Sequence, residues 1–357
     1  MAYTTVDNGE EYFNTVLWTG DASSDKSISG VGFQPDWVWA KNRSDSNDPQ
    51  MIDSNRGAGK ILRTNSTGAE LTRSSDVGAG GLQNFESDGF DVHSTTSNTN
   101  LNDNGELNVG WCWKANGGTT SSNGNGSVTS TVQANTTAGS SIVTYTGTGS
   151  GNTIGHGLGT TPGWIIAKVR STTNNWGVWH QDLGGANKYL KLNTTDSTIT
   201  ATDVWNNTLP TSTVFSTGAA GTTNYSGATY VAYCFAEKKG YSKFGKFRGN
   251  ANADGPFIYT GFKPSWLMIK NIGASGTGYH WYIWDNKRDN INVMDNTIHG
   301  DESNAENTFD QDIDFLSNGF KLRGSGVGMN PSSHDAIYFA FAEHPFVSSK
   351  GVPVTAR

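Results

Sequence analysis

The feature that most constrains this chain is an eleven-residue segment that occurs three times. GFQPDWVWAKN covers residues 32–42, GTTPGWIIAKV covers residues 159–169, and GFKPSWLMIKN covers residues 261–271. Further motifs keep the same order in each copy, and the last of them read NVGWCWKAN, YVAYCFAEK and IYFAFAEHP. The copies begin about 100–130 residues apart, which is the size of a small domain and too long for a solenoid unit. The sequence therefore predicts an internal repeat of whole domains.

The repeat divides the chain into five segments. We place domains at residues 1–116, 139–238 and 239–347, a linker rich in Gly, Ser, Thr and Asn at 117–138, and a C-terminal tail at 348–357. The 45 glycines, with abundant Ser, Thr and Asn, disfavour long helices and suit short strands joined by turns. The 12 Trp, 12 Tyr and 16 Phe are too many for a disordered chain. We expect a globular, all-β protein.

The repeated segment predicts a central strand. In the first copy Trp37 and Trp39 share one face and Val38 and Ala40 the other, so both faces are apolar. Hairpin signals and further strand-like segments give about six to eight strands per repeat, which favours three tandem β-sandwich domains of jelly-roll or concanavalin-like type. The lysines that follow the strand are expected to return each chain to solvent; they are Lys41, Lys168 and Lys270.

Charge and cysteine usage exclude several classes of protein. The net charge is −7 and no basic run occurs, which argues against a nucleic-acid partner. No apolar window approaches the length of a membrane span and the first residues lack a signal-peptide layout, so we expect neither membrane insertion nor signal-dependent export. Cys112 and Cys234 fall at matching places in copies one and two, and we predict that both are unpaired.

Three alternating acids are the best candidate for catalysis. On a strand, Asp310, Asp312 and Asp314 would point to one face, as paired acids do in some sandwich-fold glycoside hydrolases. The other two copies lack this triplet, and a solvated, charged strand edge explains it as well. The Asn-rich run at 98–107 resembles a calcium loop but has Trp111 where a bidentate glutamate is needed. We predict no catalytic residue, no metal site and no cofactor.

Two recurring patterns remain. Asp53 precedes Arg56, and Asp285 precedes Arg288, by three residues at the same point of copies one and three, whereas His180 replaces the acid in copy two. This spacing predicts a turn closed by a charge-assisted hydrogen bond. Tryptophans outside the repeated segment could instead stack on sugar rings, with Trp205 expected to be exposed; they are Trp176, Trp179, Trp205, Trp281 and Trp284.

The ordered motifs resemble a family of tandem β-domain virion proteins from marine bacteriophages of the cyanophage and pelagiphage type, usually described as tail-fibre-like or structural proteins with a domain of unknown function. The motifs that carry the likeness are PDWVWAKN, DSNRGAGKILRTN, FESDGFDV, GWCWKANGG, IGHGLGTTPGWIIAK, FLSNGFKL and IYFAFAEHPF. The resemblance implies a structural, non-enzymatic protein at the virion surface, in a tail fibre, another tail part or a capsid decoration. It would be made and assembled in the cytoplasm of the bacterial host.

The resemblance also sets the expected partners. These are other virion proteins of the capsid or tail, or further copies of this chain in a homo-oligomer. The alternative is an adhesin that binds a host surface glycan during attachment, and a third reading is a hydrolase of envelope polysaccharide.

Overall fold

A computed structural model describes residues 4–72, 81–94, 101–308 and 311–342, and over these residues the protein is all-β. The strands of the first repeat are β1 (Phe13–Thr19), β2 (Lys26–Ser29), β3 (Trp37–Asn42), β4 (Gln50–Asp53), β5 (Lys60–Arg63), β6 (Leu71–Thr72), β7 (Gly81–Glu86), β8 (Gly89–His93) and β9 (Leu107–Trp113). Those of the second are β10 (Ser121–Asn123), β11 (Ser130–Asn135), β12 (Ser140–Thr146), β13 (Asn152–Gly155), β14 (Trp164–Val169), β15 (Gly177–His180), β16 (Lys188–Lys191), β17 (Ile199–Thr200), β18 (Val214–Thr217) and β19 (Thr229–Phe235). Those of the third are β20 (Ser242–Arg248), β21 (Phe257–Tyr259), β22 (Pro264–Asn271), β23 (Trp281–Asp285), β24 (Ile298–His299), β25 (Ile313–Leu316), β26 (Gly319–Leu322) and β27 (Asp335–Ala342). The helical elements are short: 3-10 turns at Gly9–Glu11 and Gln181–Leu183, and one helical turn, α1 (Gly221–Asn224).

The sequence repeat corresponds to a repeated strand order. The three large sheets run β1-β9-β3-β4-β5-β6, β10-β11-β12-β19-β14-β15-β16-β17 and β20-β27-β22-β23-β24. In each sheet the strand of the repeated segment (β3, β14 or β22) lies between the last strand of the repeat (β9, β19 or β27) and the next strand of the same repeat (β4, β15 or β23). All of these pairs are antiparallel. The register also repeats, and the residues directly opposite each other are Trp37 and Trp113, Trp164 and Phe235, and Trp266 and Phe341.

The repeated strands are covered on both faces, as their sequence predicts. Val38 and Ala40 pack in an apolar cluster with residues of the small sheet β2-β8-β7, and the small sheets β13-β18 and β21-β26-β25 contribute to corresponding clusters of the other repeats. Cys112 and Cys234 are buried and free, and they lie in different ones of these outer clusters.

The opposite faces of the three large sheets share a single core. Trp37, Trp164 and Trp266 are all buried there, and the rings of Trp113, Phe235 and Phe341 have centroids 5.7–6.3 Å apart. Tandem domains would each be expected to enclose a separate core, but on this face all three repeats share one core. The two-sided apolar pattern predicts that both faces are covered, but it does not say whether the cover comes from the same repeat or from another one.

Backbone hydrogen bonds join the repeats in a closed ring. Three amides donate to the carbonyls two residues beyond the buried lysines of a neighbouring repeat: Glu70 to Arg170 at 2.8 Å, Thr198 to Ile272 at 3.0 Å, and Glu306 to Arg43 at 2.9 Å. These contacts lead from repeat one to two, from two to three, and from three back to one. The ring places the first and third repeats in contact although they are far apart in sequence.

The lysines after the repeated strands do not return to solvent; all three are 0% exposed. Lys41 donates to the carbonyl oxygens of Asn47 and Ser303, both at 2.8 Å, so backbone acceptors replace water around the ammonium group. Burial lowers the pKa of each of the three lysines to about 8. The sequence pattern was misleading because the neighbouring loops, which supply these carbonyls, close over the strand end.

The predicted linker is part of a sheet. β10 and β11 lie within residues 117–138 and pair with each other, and β11 also pairs with β12 at the edge of the large sheet of repeat two. In β11 Val132 and Gln133 are buried while Thr131 is exposed, and β10, which has no buried residue, forms the edge of this sheet. The low apolar content of residues 117–138 therefore indicates strands at the edge of a sheet and not a flexible linker. The predicted tail at 348–357 lies outside the described residues.

Candidate functional site

The tryptophans considered as sugar-stacking platforms are buried. Trp205 is only 2% exposed, because left-handed residues at Asn206 and Asn207 reverse the chain and Trp205 packs edge-on against Phe215 with centroids 6.3 Å apart. The other four are equally enclosed: Trp176, Trp179, Trp281 and Trp284. Since a stacking platform needs an exposed ring face, the expectation that Trp205, Trp176 and Trp179 offer one is wrong.

The described residues do not place the three alternating acids together on one strand. Asp310 lies outside the described residues, Asp312 precedes β25, and only Asp314 lies on the strand. The Asp314 carboxylate is buried and bonds Arg323 Nε at 2.6 Å. This acid is therefore held in an ion pair and is not part of a solvated strand edge.

The aspartate–arginine turns are confirmed, and they lie in the interior. Arg56 donates its backbone amide to Asp53 Oδ1 at 2.8 Å and its Nε to Oδ2 at 2.5 Å. Arg288 repeats both bonds with Asp285, at 3.0 and 2.6 Å. All four side chains have no solvent-exposed area.

Each turn also contacts the last strand of another repeat. Asp53 accepts a hydrogen bond from the Tyr233 hydroxyl at 2.7 Å, and Asp285 accepts one from Trp111 Nε1 at 2.9 Å. His180, at the same point of repeat two, instead meets the edge of Phe339 with ring centroids 4.9 Å apart. A phenylalanine offers no donor to a carboxylate, so the acid is kept where its neighbour donates and is absent where the neighbour cannot. Burial lowers the pKa of His180 to about 3, which keeps this contact uncharged.

Two glutamates complete the charged contacts between repeats. Glu70 bonds Arg170 of repeat two at 2.8 Å as well as Arg56 at 2.9 Å, and Glu306 bonds Arg43 of repeat one at 2.8 Å as well as Arg288 at 2.9 Å. Burial alone would raise the pKa of each glutamate, but the hydrogen bonds and charges of the two arginines hold it below its usual value. These ion pairs act as clamps, since they need both repeats to form.

An exposed aromatic pair is the best surface candidate for a binding site. On β21, Phe257 is 45% and Tyr259 62% exposed, while Ile258 between them is buried, so both rings lie on the outer face of the strand. Lys321 lies opposite Phe257 and bonds Asp254 at 2.7 Å. Sequence reasoning did not single out this pair. The alternation of aromatic and aliphatic residues was the available signal.

A depression of about 130 Å³ beside Asp289, Asn292 and Phe315 is smaller than typical ligand pockets, which hold about 300–1,000 Å³. No helix within the described ranges is both long and apolar enough to cross a membrane.

The fold and these contacts define an all-β repeat protein in which buried ion pairs and aromatic side chains join the repeats. The chain belongs to the family described as a domain of unknown function, DUF7483, whose model matches residues 8–345. Because the match spans all three copies, the family unit contains the whole ring and not one repeat. No curated protein and no solved structure matches the chain.

Proposed function

We propose that this protein is a structural, non-enzymatic component of a bacteriophage virion, exposed in a tail fibre, another tail part or a capsid decoration. It would act through contacts with other virion proteins or with further copies of itself. Each repeat would be a β-sandwich module of one large and one small sheet, with the three modules arranged as a ring. The motif series supports the phage setting, and the ring supports the mechanical role.

The observation that carries the mechanical role is how the chain uses its buried charges. Asp53, Asp285, Glu70 and Glu306 each bond a residue of a neighbouring repeat, and their arginine partners are satisfied at the same time. A catalytic acid needs a carboxyl group free to reach substrate. Groups fixed in this way hold surfaces in position, which is what a particle protein subject to force requires.

The proposal is tested on purified particles of the phage whose genome encodes this chain. Mass spectrometry of purified virions should detect the protein, and antibody labelling in electron microscopy should place it on the outside. Its absence from particles purified to constant infectivity would contradict the proposal.

A hydrolase would be revealed by release of reducing sugar from host envelope polysaccharide. The purified protein and its Asp310→Asn, Asp312→Asn, Asp314→Asn variant are compared, and we expect no release from either. Turnover by the wild type that the variant lacks would show an enzyme.

The exposed aromatic pair favours a second candidate, the host-glycan adhesin. The two rings could stack on the apolar faces of sugar rings, with Lys321 and Asp254 available to bond hydroxyl groups. The double variant Phe257→Ser, Tyr259→Ser should abolish binding to host envelope glycans if this candidate is right. Tyr225→Ser, which removes an exposed aromatic from repeat two, is the matched control.

A further inference from the structure

A cluster of two histidines and two carboxylates lies at the closing contact of the ring. His280 directly precedes β23, His299 ends the edge strand β24, and Asp301 and Glu302 follow it. In the same segment the Gly300 carbonyl accepts from Thr64 of repeat one at 2.6 Å. Nothing in the proposed structural role uses these side chains.

The cluster brings metal-ligating atoms together. His280, His299 and Glu302 each contribute one such atom, and these atoms lie within 4.8 Å of one another. The Glu302 carboxylate lies between the imidazoles: Oε2 is 3.8 Å from His280 Nδ1, and Oε1 bonds His299 Nδ1.

The surroundings fix the cluster in place. Asp301 accepts from the Trp281 backbone amide at 3.0 Å and contacts His280 Nδ1 at 3.1 Å. Tyr282 packs edge-on against both imidazoles, with centroids 6.1 and 4.9 Å away. A carboxylate that orients a ligating histidine is the usual support of a metal site.

We propose that His280, His299 and Glu302 bind a divalent transition ion of the Zn²⁺ type. Imidazole and carboxylate ligands suit zinc and its neighbours, whereas Mg²⁺ and Ca²⁺ prefer oxygen alone. Water completes the coordination. The proposal does not depend on the phage role.

Binding requires a local adjustment of the ligands. Bonds of about 2.0–2.1 Å to nitrogen place tetrahedral ligand atoms about 3.4 Å apart, so the three groups must move inward. The imidazole planes are 7° from parallel with centroids 4.4 Å apart, and one ring must turn before both can face one ion.

The test uses the full chain without an affinity tag, stripped with chelator and titrated with Zn²⁺ by calorimetry. We expect one ion per chain, and Co²⁺ should give the visible absorption of a four-coordinate site. His280→Gln with His299→Gln should abolish both signals, and Glu302→Gln should weaken binding at least roughly 10-fold. His334→Gln, in the same repeat but outside the cluster, should bind as the wild type does.

A second measurement guards against loss of folding in the variants. If the ion binds only the folded chain, excess Zn²⁺ at about 100 times its dissociation constant should raise the folding equilibrium constant about 100-fold in the wild type and leave the double variant unchanged. The proposal is overturned if the wild type takes up less than one ion per chain. It is overturned equally if the folded double variant binds Zn²⁺ as tightly as the wild type.

Discussion

At the residue scale, one position shows how a neighbour decides whether a buried charge is kept. Asp53 and Asp285 each face a donor from another repeat and carry an arginine three residues later. In repeat two the position is His180, the arginine is replaced by buried Leu183, and the neighbour is Phe339. The acid, the arginine and the donor are therefore all replaced in repeat two. Burial of a carboxylate without its partners would lower the free energy of unfolding.

Breaking the Asp53 contact alone should be expensive. Asp53→Asn removes one of the two carboxylates that bond the buried Arg56 and leaves it paired with Glu70, and we expect a loss of about 3–5 kcal/mol in the free energy of unfolding. Copying repeat two, with Asp53→His, Arg56→Leu and Tyr233→Phe together, should recover much of that loss because no buried charge is left unpaired. Urea unfolding of the two variants measures both values, and a triple variant less stable than Asp53→Asn would refute this account.

The glutamate clamps give the ring a defined pH dependence. Folding lowers the pKa of Glu70 and Glu306 below the unfolded value of about 4.3, so their stabilisation is fully present above that pH and is lost as the pH falls through the folded value. The Glu70→Gln, Glu306→Gln variant should be less stable at neutral pH and should show a shallower loss of stability between about pH 5 and 3. Glu86→Gln, at an exposed position, is the control, and equal slopes in all three proteins would contradict the assignment.

The cysteines should be inert until the chain unfolds. Burial raises the pKa of both thiols, so little thiolate forms and solvent reagents cannot reach it. Thiol titration should count no reactive group in the native protein and two after denaturation without reductant. A count of zero after denaturation would show a disulfide.

At the element scale, the sequence predicts the strand after each proline. It does not predict which elements pack on the two faces of that strand. The alternation of Trp37 and Trp39 with Val38 and Ala40 gives a strand with two apolar faces, and the structure confirms this. Periodicity is a local property, so it does not identify the element that lies on each face. The buried lysines and Trp205 were misplaced for the same reason: distant loops and a chain reversal enclose them.

The strand that pairs with β4, β15 or β23 on the outer side of each large sheet shows the limit of motif alignment. The similar segments ILRTN (61–65), YLKLN (189–193) and NVMDN (292–296) indicate an equivalent strand in each repeat, and the first two overlap β5 and β16. In repeat three the equivalent strand is β24, since Ile298 pairs with Ile283 as Leu190 does with Val178. A two-residue strand leaves too little pattern to locate without its pairing partner. The candidate sites failed in the same way, because exposure and side-chain clustering depend on contacts between distant segments.

Removing the core side chain of one repeated strand should destabilise more than its own repeat. Trp266 packs 5.6 Å from the ring of Trp113 in repeat one, so Trp266→Ala leaves a cavity in the shared core. We expect a loss of about 3–5 kcal/mol, as for other large core deletions, with a single transition that remains cooperative. Fluorescence and circular dichroism should report the same midpoint. Separate unfolding of the third repeat, with the others intact, would support independent domains instead.

At the scale of the whole molecule, closure of the ring makes the repeats depend on one another. Trp164 of repeat two lies 4.2 Å from Phe339, and Trp111 of repeat one donates to Asp285. Both partners belong to repeat three. The first two repeats therefore cannot cover their inner faces without the third, although their own strand pairing is complete.

Truncation tests this dependence directly. A chain ending at residue 238 keeps repeats one and two but exposes the face of Trp164 and leaves the clamp arginine Arg43 without Glu306. We expect it to aggregate or to lack a cooperative unfolding transition, because large exposed aromatic patches and unpaired charges are both unfavourable. The matched control is the full chain with a protease site inserted at residues 251–254, an exposed loop. After cleavage the two pieces should stay associated and unfold cooperatively, since every contact between repeats remains. A truncated chain with a native-like, cooperative transition would show that two repeats suffice and that the ring is not required for folding.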